Sequence, residues 1–221
     1  MGVRNDEGSS GFEMTKNAKK NMPNTHSTSE AVQILRNGGT VVYPTETAYG
    51  LGADATNANA VKKVFAIKGR APDMAVPIIV RDLAHAQEIA HFSKKALALA
   101  REFWPGPLTL VLPEKKQAGL AKWATQKGYV ALRVSSHHVS KELASGLGRP
   151  IVSTSANRSG CGSCFDIECV RKQFAGSEYQ PDYIIDAGKL PDTKLSTIIR
   201  VVEESVEVLR QGEIKLSKHF V

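Results

Sequence analysis

The chain has 221 residues, of which 42% are hydrophobic and 23% charged, and its formal net charge is +7. That is enough apolar material to bury a full core in one domain, and no apolar run approaches the ~20 residues needed to span a bilayer. Residues 1–27 carry only +1 of the charge, so the remainder is basic and suits polyanionic partners such as nucleotides or RNA.

Residues 1–27, rich in Gly, Ser, Asn and Lys, lack the apolar centre of a secretory signal and read as a disordered tail or an expression remnant. A helix is expected from Thr28, with Ser27 three residues before Glu30 as a capping box and Gly38-Gly39 as its stop. The strand TVVY follows, and then PTETAYGLGADA (44–55), where Gly50 and Gly52 allow either a tight turn or close backbone approach to a ligand. Asn57 caps a second helix with Val61, Val64 and Phe65 on one face and Gly69 near its end. AVPIIV reads as a strand, RDLAHAQEIAHF and SKKALALAREFW as helices, and PLTLVL as another strand. Beyond these come YVALRV (strand), SKELASGLG (helix), PIVSTS (strand), FDIECVRKQF (helix), and the strands DYIID, STIIRVV and VEVLR. Helices interleaved with short strands predict one α/β domain with a mixed sheet and no internal repeat.

Small polar or basic clusters fall at nearly every strand end: PTET, Arg133, STSAN, Ser196-Thr197 and Arg210. Ligands of open α/β sheets collect at strand ends, so these clusters predict one shared pocket. Lys68-Gly69-Arg70 closes the second helix. It is either a helix C-terminus with its preferred charges or a phosphate clamp built from a point charge and a guanidinium fork. STSANRSG (153–160) offers hydroxyls, an amide and glycine for anion binding or ordinary turn chemistry, and it lacks P-loop spacing.

Taken in order, PTETAYGLGADA, KGR, WPGPLTLVL, ALRVS, STSAN, STIIR and LRQG resemble the YrdC-like family of threonylcarbamoyl-AMP synthases over residues 28–214. The resemblance implies a single catalytic domain with a twisted mixed β-sheet flanked by helices and an open, positively charged concave face, followed by a short C-terminal tail at 215–221. It also implies a cytoplasmic enzyme that joins L-threonine, bicarbonate and ATP into threonylcarbamoyl-AMP and pyrophosphate. A downstream transferase complex would then deliver the threonylcarbamoyl group to tRNA. By similarity Lys68 and Arg70 are catalytic and contact ATP together with Thr109, Ser155, Asn157 and Arg210. Thr45, Thr47, Arg133, Ser153 and Ser196 lie on the threonine and carbamate side. Mg2+ accompanies ATP, and no protein metal site is implied.

The same resemblance frames two departures and two rivals. Ala71 stands before Pro72, where many members have proline directly after the Lys-x-Arg. The chain also ends soon after Arg210, so the cover that the linker of longer members provides would have to come from the N-terminal tail or a partner, or product retention would be poorer. A non-catalytic module of the same fold holding double-stranded RNA or tRNA is one rival, and an enzyme adenylating another carbamoyl donor is the second.

The remaining conspicuous residues have plain readings. Cys161 and Cys164 have zinc-knuckle spacing with Cys169 alone as a third ligand, so free thiols in a loop are expected. His137-His138 reads as a solvent-exposed helix start with the rings diverging by ~100 degrees. Trp104 is expected to anchor the core, although it and Trp123 could stack on a base. Glu46 reads as a base or as a carboxylate that caps backbone or pairs with an arginine.

Overall fold

The computed structural model describes residues 24–25, 27–71, 76–217 and 220. In chain order the elements are β1 (Asn24–Thr25), α1 (Thr28–Arg36), β2 (Thr40–Pro44), β3 (Tyr49–Asp54), α2 (Ala58–Lys68), β4 (Ile78–Ile79), α3 (Leu83–Ile89), α4 (Lys94–Phe103) and β5 (Leu108–Pro113). A 3-10 turn (Lys122–Ala124) leads to β6 (Tyr129–Arg133), α5 (His138–Leu147), β7 (Ile151–Ser155), α6 (Ile167–Phe174), β8 (Tyr183–Ile185), β9 (Thr197–Val202) and β10 (Ser205–Arg210).

The helices start where the capping residues put them. Ser27 Oγ accepts from Glu30 N at 3.2 Å, while the Glu30 carboxylate takes a bond from Tyr183 Oη at 3.0 Å. Asn57 Oδ1 accepts from Asn59 and Ala60, and α2 ends at Gly69 in the left-handed conformation, φ 61°. That left-handed residue is the usual device for ending a helix sharply. Here it turns the chain between Lys68 and Arg70.

All ten strands join one mixed sheet in the order β1-β8-β2-β3-β7-β4-β6-β5-β9-β10. Its two faces are covered unequally. Helices α2, α3, α4 and α6 bury one face across most of the sheet, through Val64, Ile89, Leu99 and Phe174 against Leu51, Leu110, Leu132, Val152 and Ile199. On the opposite face α1 and α5 form a pair over Val41, Tyr43, Ile79, Ile151 and Tyr183. Strand alternation then leaves Val111, Ala131 and Ile198, the residues between those buried on β5, β6 and β9, as the floor of an open cavity beside that helix pair.

Three differences from the sequence reading stand out. Tyr49–Asp54 is a central strand between β2 and β7, not a turn. A Cβ on Gly52 would sit 2.7 Å from Tyr43 Cε1 and 2.8 Å from the Val152 carbonyl oxygen, so only glycine lets these strands close up, and the strand loses its β-branched signature. Asn24–Thr25, assigned to the tail, add a parallel rung to Ile184–Ile185; the rest of the expected tail, residues 1–23 and 26, lies outside the described residues. In the short C-terminal tail expected at 215–221, Leu216 and Phe220 pack on the core, and the Phe220 ring meets Phe103 edge-on at 5.9 Å. Cys164 and Cys169, expected as free thiols, form a disulfide with Cα atoms 5.5 Å apart, and only Cys161 is a free, exposed thiol. The Asp166 carboxylate accepts from Cys169 N at 2.7 Å as the cap of α6, and this turn brings the two cysteines together.

Candidate active site

The cavity on the open face has a volume of about 850 Å3. Ten of the eleven residues singled out by sequence line it: Thr45, Thr47, Lys68, Arg70, Arg133, Ser153, Ser155, Asn157, Ser196 and Arg210. The eleventh, Thr109, is fully buried behind the wall, and its hydroxyl lies 3.0 Å from Ser196 Oγ. It therefore reaches the cavity only through the serine it holds. Arg210 clasps the same residue from outside, with Nη2 donating to Ser196 O at 2.7 Å and to Ser196 Oγ at 2.9 Å.

The KGR and STSAN motifs are one structural unit. Lys68, only 5% exposed, donates from Nζ to the carbonyls of Ser155 at 2.7 Å and Asn157 at 2.8 Å. Ser159 N returns a bond to Lys68 O at 2.9 Å. The lysine thus ties the loop while bordering the cavity, and its bonds go to the 155–157 segment instead of to the last carbonyls of its own helix. Burial, reinforced by the neighbouring Arg70 charge, lowers its pKa to about 8. The loop itself is closed by Asn157 Nδ2, which donates to Arg158 O and Cys161 O.

At the other end of the cavity Thr45 and Thr47 share a hydroxyl contact at 3.0 Å, and Thr45 Oγ1 donates to Ala48 O at 2.7 Å. Arg133, 7% exposed, donates from Nη1 to Thr47 Oγ1 at 3.4 Å and pairs through Nε with Glu46 Oε1 at 3.8 Å. Glu46 is therefore the arginine-pairing carboxylate of the sequence reading, and its second oxygen accepts from Ser135 Oγ. Burial, and then the Arg133 charge, lowers the pKa of Arg210. Below them Tyr43 is sealed in, its phenol pushed up to about 12 by burial.

Sequence reasoning missed part of the rim. Lys127, Tyr129 and Arg200 also line the cavity. Lys127, at φ 51°, and Gly128, at φ 79°, form a two-residue turn closed in both directions between Gln126 and Tyr129 at 2.9 Å. Arg200 lies 5.7 Å from the Tyr129 ring centre. The available signal for Arg200 was a lone cation within the apolar strand STIIRVV, at the same parity as Ile198. Six Lys or Arg residues and no Asp or Glu line the cavity among the described residues, a donor set suited to phosphate and carboxylate oxygens.

The other conspicuous residues are structural. Trp104 Nε1 donates to Leu108 O at 2.7 Å, and its ring packs edge-on to Phe92. Lys62 lies over Trp123 at 4.7 Å. His137 caps α5 with Nδ1 accepting from Val139 N, and its ring stacks on His138 at 4.7 Å instead of diverging, because the cap residue stands outside the helical spiral. Residues 72–75, Pro72 among them, lie outside the described residues.

The fold is an α/β domain with an open sheet face whose cavity is lined by hydroxyls and by Lys and Arg side chains. Residues 33–212 match the family profile described as telomere recombination, which covers the Sua5, YciO and YrdC proteins, and the chain belongs to that family. It is 36% identical over 189 residues to the threonylcarbamoyl-AMP synthase of Pyrococcus abyssi, covering 85% of this chain and 54% of the relative. It is 35% identical to the protein of that name from Coxiella burnetii (strain RSA 493 / Nine Mile phase I), covering 80% of this chain and 92% of the relative. The crystal structure of P. abyssi Sua5 complexed with L-threonine superposes with a TM-score of 0.78 at 36% identity, over 84% of this chain and 54% of that one. The chain thus spans about half of the archaeal relative and nearly all of the Coxiella one. No helix among the described residues is long and apolar enough to cross a membrane.

Proposed function

We propose that this chain is an L-threonylcarbamoyladenylate synthase, a nucleotidyltransferase that forms threonylcarbamoyl-AMP and pyrophosphate from L-threonine, bicarbonate and MgATP for tRNA modification. The carrying observation is that residues from six separated sequence motifs line one cavity. Relatives of the same family named for this activity support the reading, as does a related structure complexed with L-threonine.

The reaction asks little covalent chemistry of the protein. Threonine's amine and carbon dioxide give a carbamate, whose oxygen attacks the α-phosphorus while the bond to the bridging oxygen breaks and pyrophosphate leaves. The protein must hold the carbamate in line and stabilise charge on the leaving group. Arg70 and Lys68, next to the Ser155 and Asn157 loop, are the phosphate-side groups. Arg133, Thr45, Thr47, Ser153 and Ser196 form the carboxylate and carbamate side, and Arg210 reaches the cavity beside Ser196. Magnesium enters as part of the nucleotide, held by triphosphate oxygens in the manner usual for that ion.

Pyrophosphate release from ATP tests this directly. It is expected to require both L-threonine and bicarbonate. Release independent of the amino acid would favour adenylation of another carbamoyl donor, and no release, together with RNA retention that weakens steeply with salt, would favour the RNA-binding alternative.

A further inference from the structure

Glu46 lies outside the cavity lining, yet it pairs with Arg133, the cavity-lining cation that reaches the Thr47 hydroxyl. Its Oε1 stands 3.8 Å from Arg133 Nε, and its Oε2 accepts from Ser135 Oγ. Arg133 Nη1 in turn reaches Thr47 Oγ1, and Thr193 Oγ1 donates to the carbonyls of Glu46 and Thr47 at 3.3 Å. Arg133, nearly buried beside the cavity, is therefore held by one hydrogen bond, from Nη1 to Thr47, and by the longer ion pair of Nε with Glu46, whose Oε1 accepts no hydrogen bond among the described residues.

We infer that Glu46, braced by Ser135, is the positioning residue that fixes the Arg133 guanidinium for recognition of the amino-acid carboxylate or its carbamate. A long cationic side chain loses much rotamer freedom when it binds an anion, and a planar fork held in place beforehand spends less of its binding energy on that ordering. A buried arginine stripped of its counter-charge is also costly to keep in place. Ser135 supplies the same service to Glu46, taking one carboxylate oxygen so that the other stays toward Arg133. The opposing expectation is simple charge balance: Glu46 would then only weaken the cavity's attraction for anions, and removing its charge would tighten binding.

The inference rests on the proposed threonine site, and two readouts separate the two. The Nε–H signal of Arg133 in a nitrogen-correlated NMR spectrum reports the guanidinium without any substrate. It is expected to be protected from water exchange in the wild type and lost in Glu46→Gln, with partial loss in Ser135→Ala. Kinetically, Glu46→Gln is expected to raise the KM for L-threonine about tenfold with the KM for ATP unchanged. A lost signal with a raised threonine KM supports positioning. An unchanged signal overturns it, and so does a threonine KM that is unchanged or lower. If the wild type shows no threonine dependence at all, the functional reading falls, and the NMR comparison alone then decides whether Glu46 orients Arg133. Should Glu46→Gln fail to fold, Ser135→Ala carries the same two readouts.

Discussion

Lys68 and Arg70 are separated by one glycine but differ in physical situation. Arg70 lines the cavity half-buried, whereas Lys68 is interior and spends two N–H groups on loop carbonyls. Arg70→Ala is expected to cut turnover at least tenfold, a loss of about 1.4 kcal/mol or more of transition-state stabilisation. Lys68→Ala is expected to lose comparable activity and to lower the thermal midpoint, because it frees two buried carbonyls; steady-state kinetics on both variants and calorimetry on Lys68→Ala check this. The lysine also sets a pH dependence. With a pKa of about 8 its charge fades as the pH rises through that value, so kcat/KM for ATP is expected to fall on the alkaline side. Stability moves oppositely: the folded pKa lies below the ordinary 10.5, so the unfolded chain binds more protons between about 8 and 10.5 and stability rises with pH across that window. An alkaline limb that persists in Lys68→Arg would assign the fall to another group.

The elements show why so much of this site could be read in advance and why some could not. The motifs at 44–47, 68–70, 153–157, 196–197 and 210 carry polar residues where the hydrophobic pattern breaks, and most stand at or beside a strand or helix end that borders the cavity. The missed strand, Tyr49–Asp54, carries its signal in what is absent: Gly52 fits between Tyr43 and Val152 only without a Cβ. Gly52→Ala is expected to destabilise the domain by ~1–3 kcal/mol through overpacking, measured as a lower denaturant midpoint; an unchanged midpoint would mean that β2 and β7 yield easily. The Cys164–Cys169 disulfide was hidden for a different reason. Spacing alone does not reveal that the Asp166 cap folds the first turn of α6 back over Cys164. Rim residues such as Lys127 become visible only once the turn that carries them is placed.

For the molecule as a whole, the unequal covering of one sheet explains the site. Four helices seal one face, while α1 and α5 cover part of the other, and the uncovered floor borders hydroxyls and six cationic side chains. That arrangement offers hydrogen-bond donors and positive charge to anions, which suits the proposed reaction, whose nucleophile is the substrate carbamate. The most direct measurement is mass analysis of the products formed from MgATP, L-threonine and carbon-13 bicarbonate. The account predicts pyrophosphate together with a labelled threonylcarbamoyl adenylate that vanishes when either co-substrate is withheld. Pyrophosphate without a labelled adenylate, or no turnover of ATP at all, would contradict it.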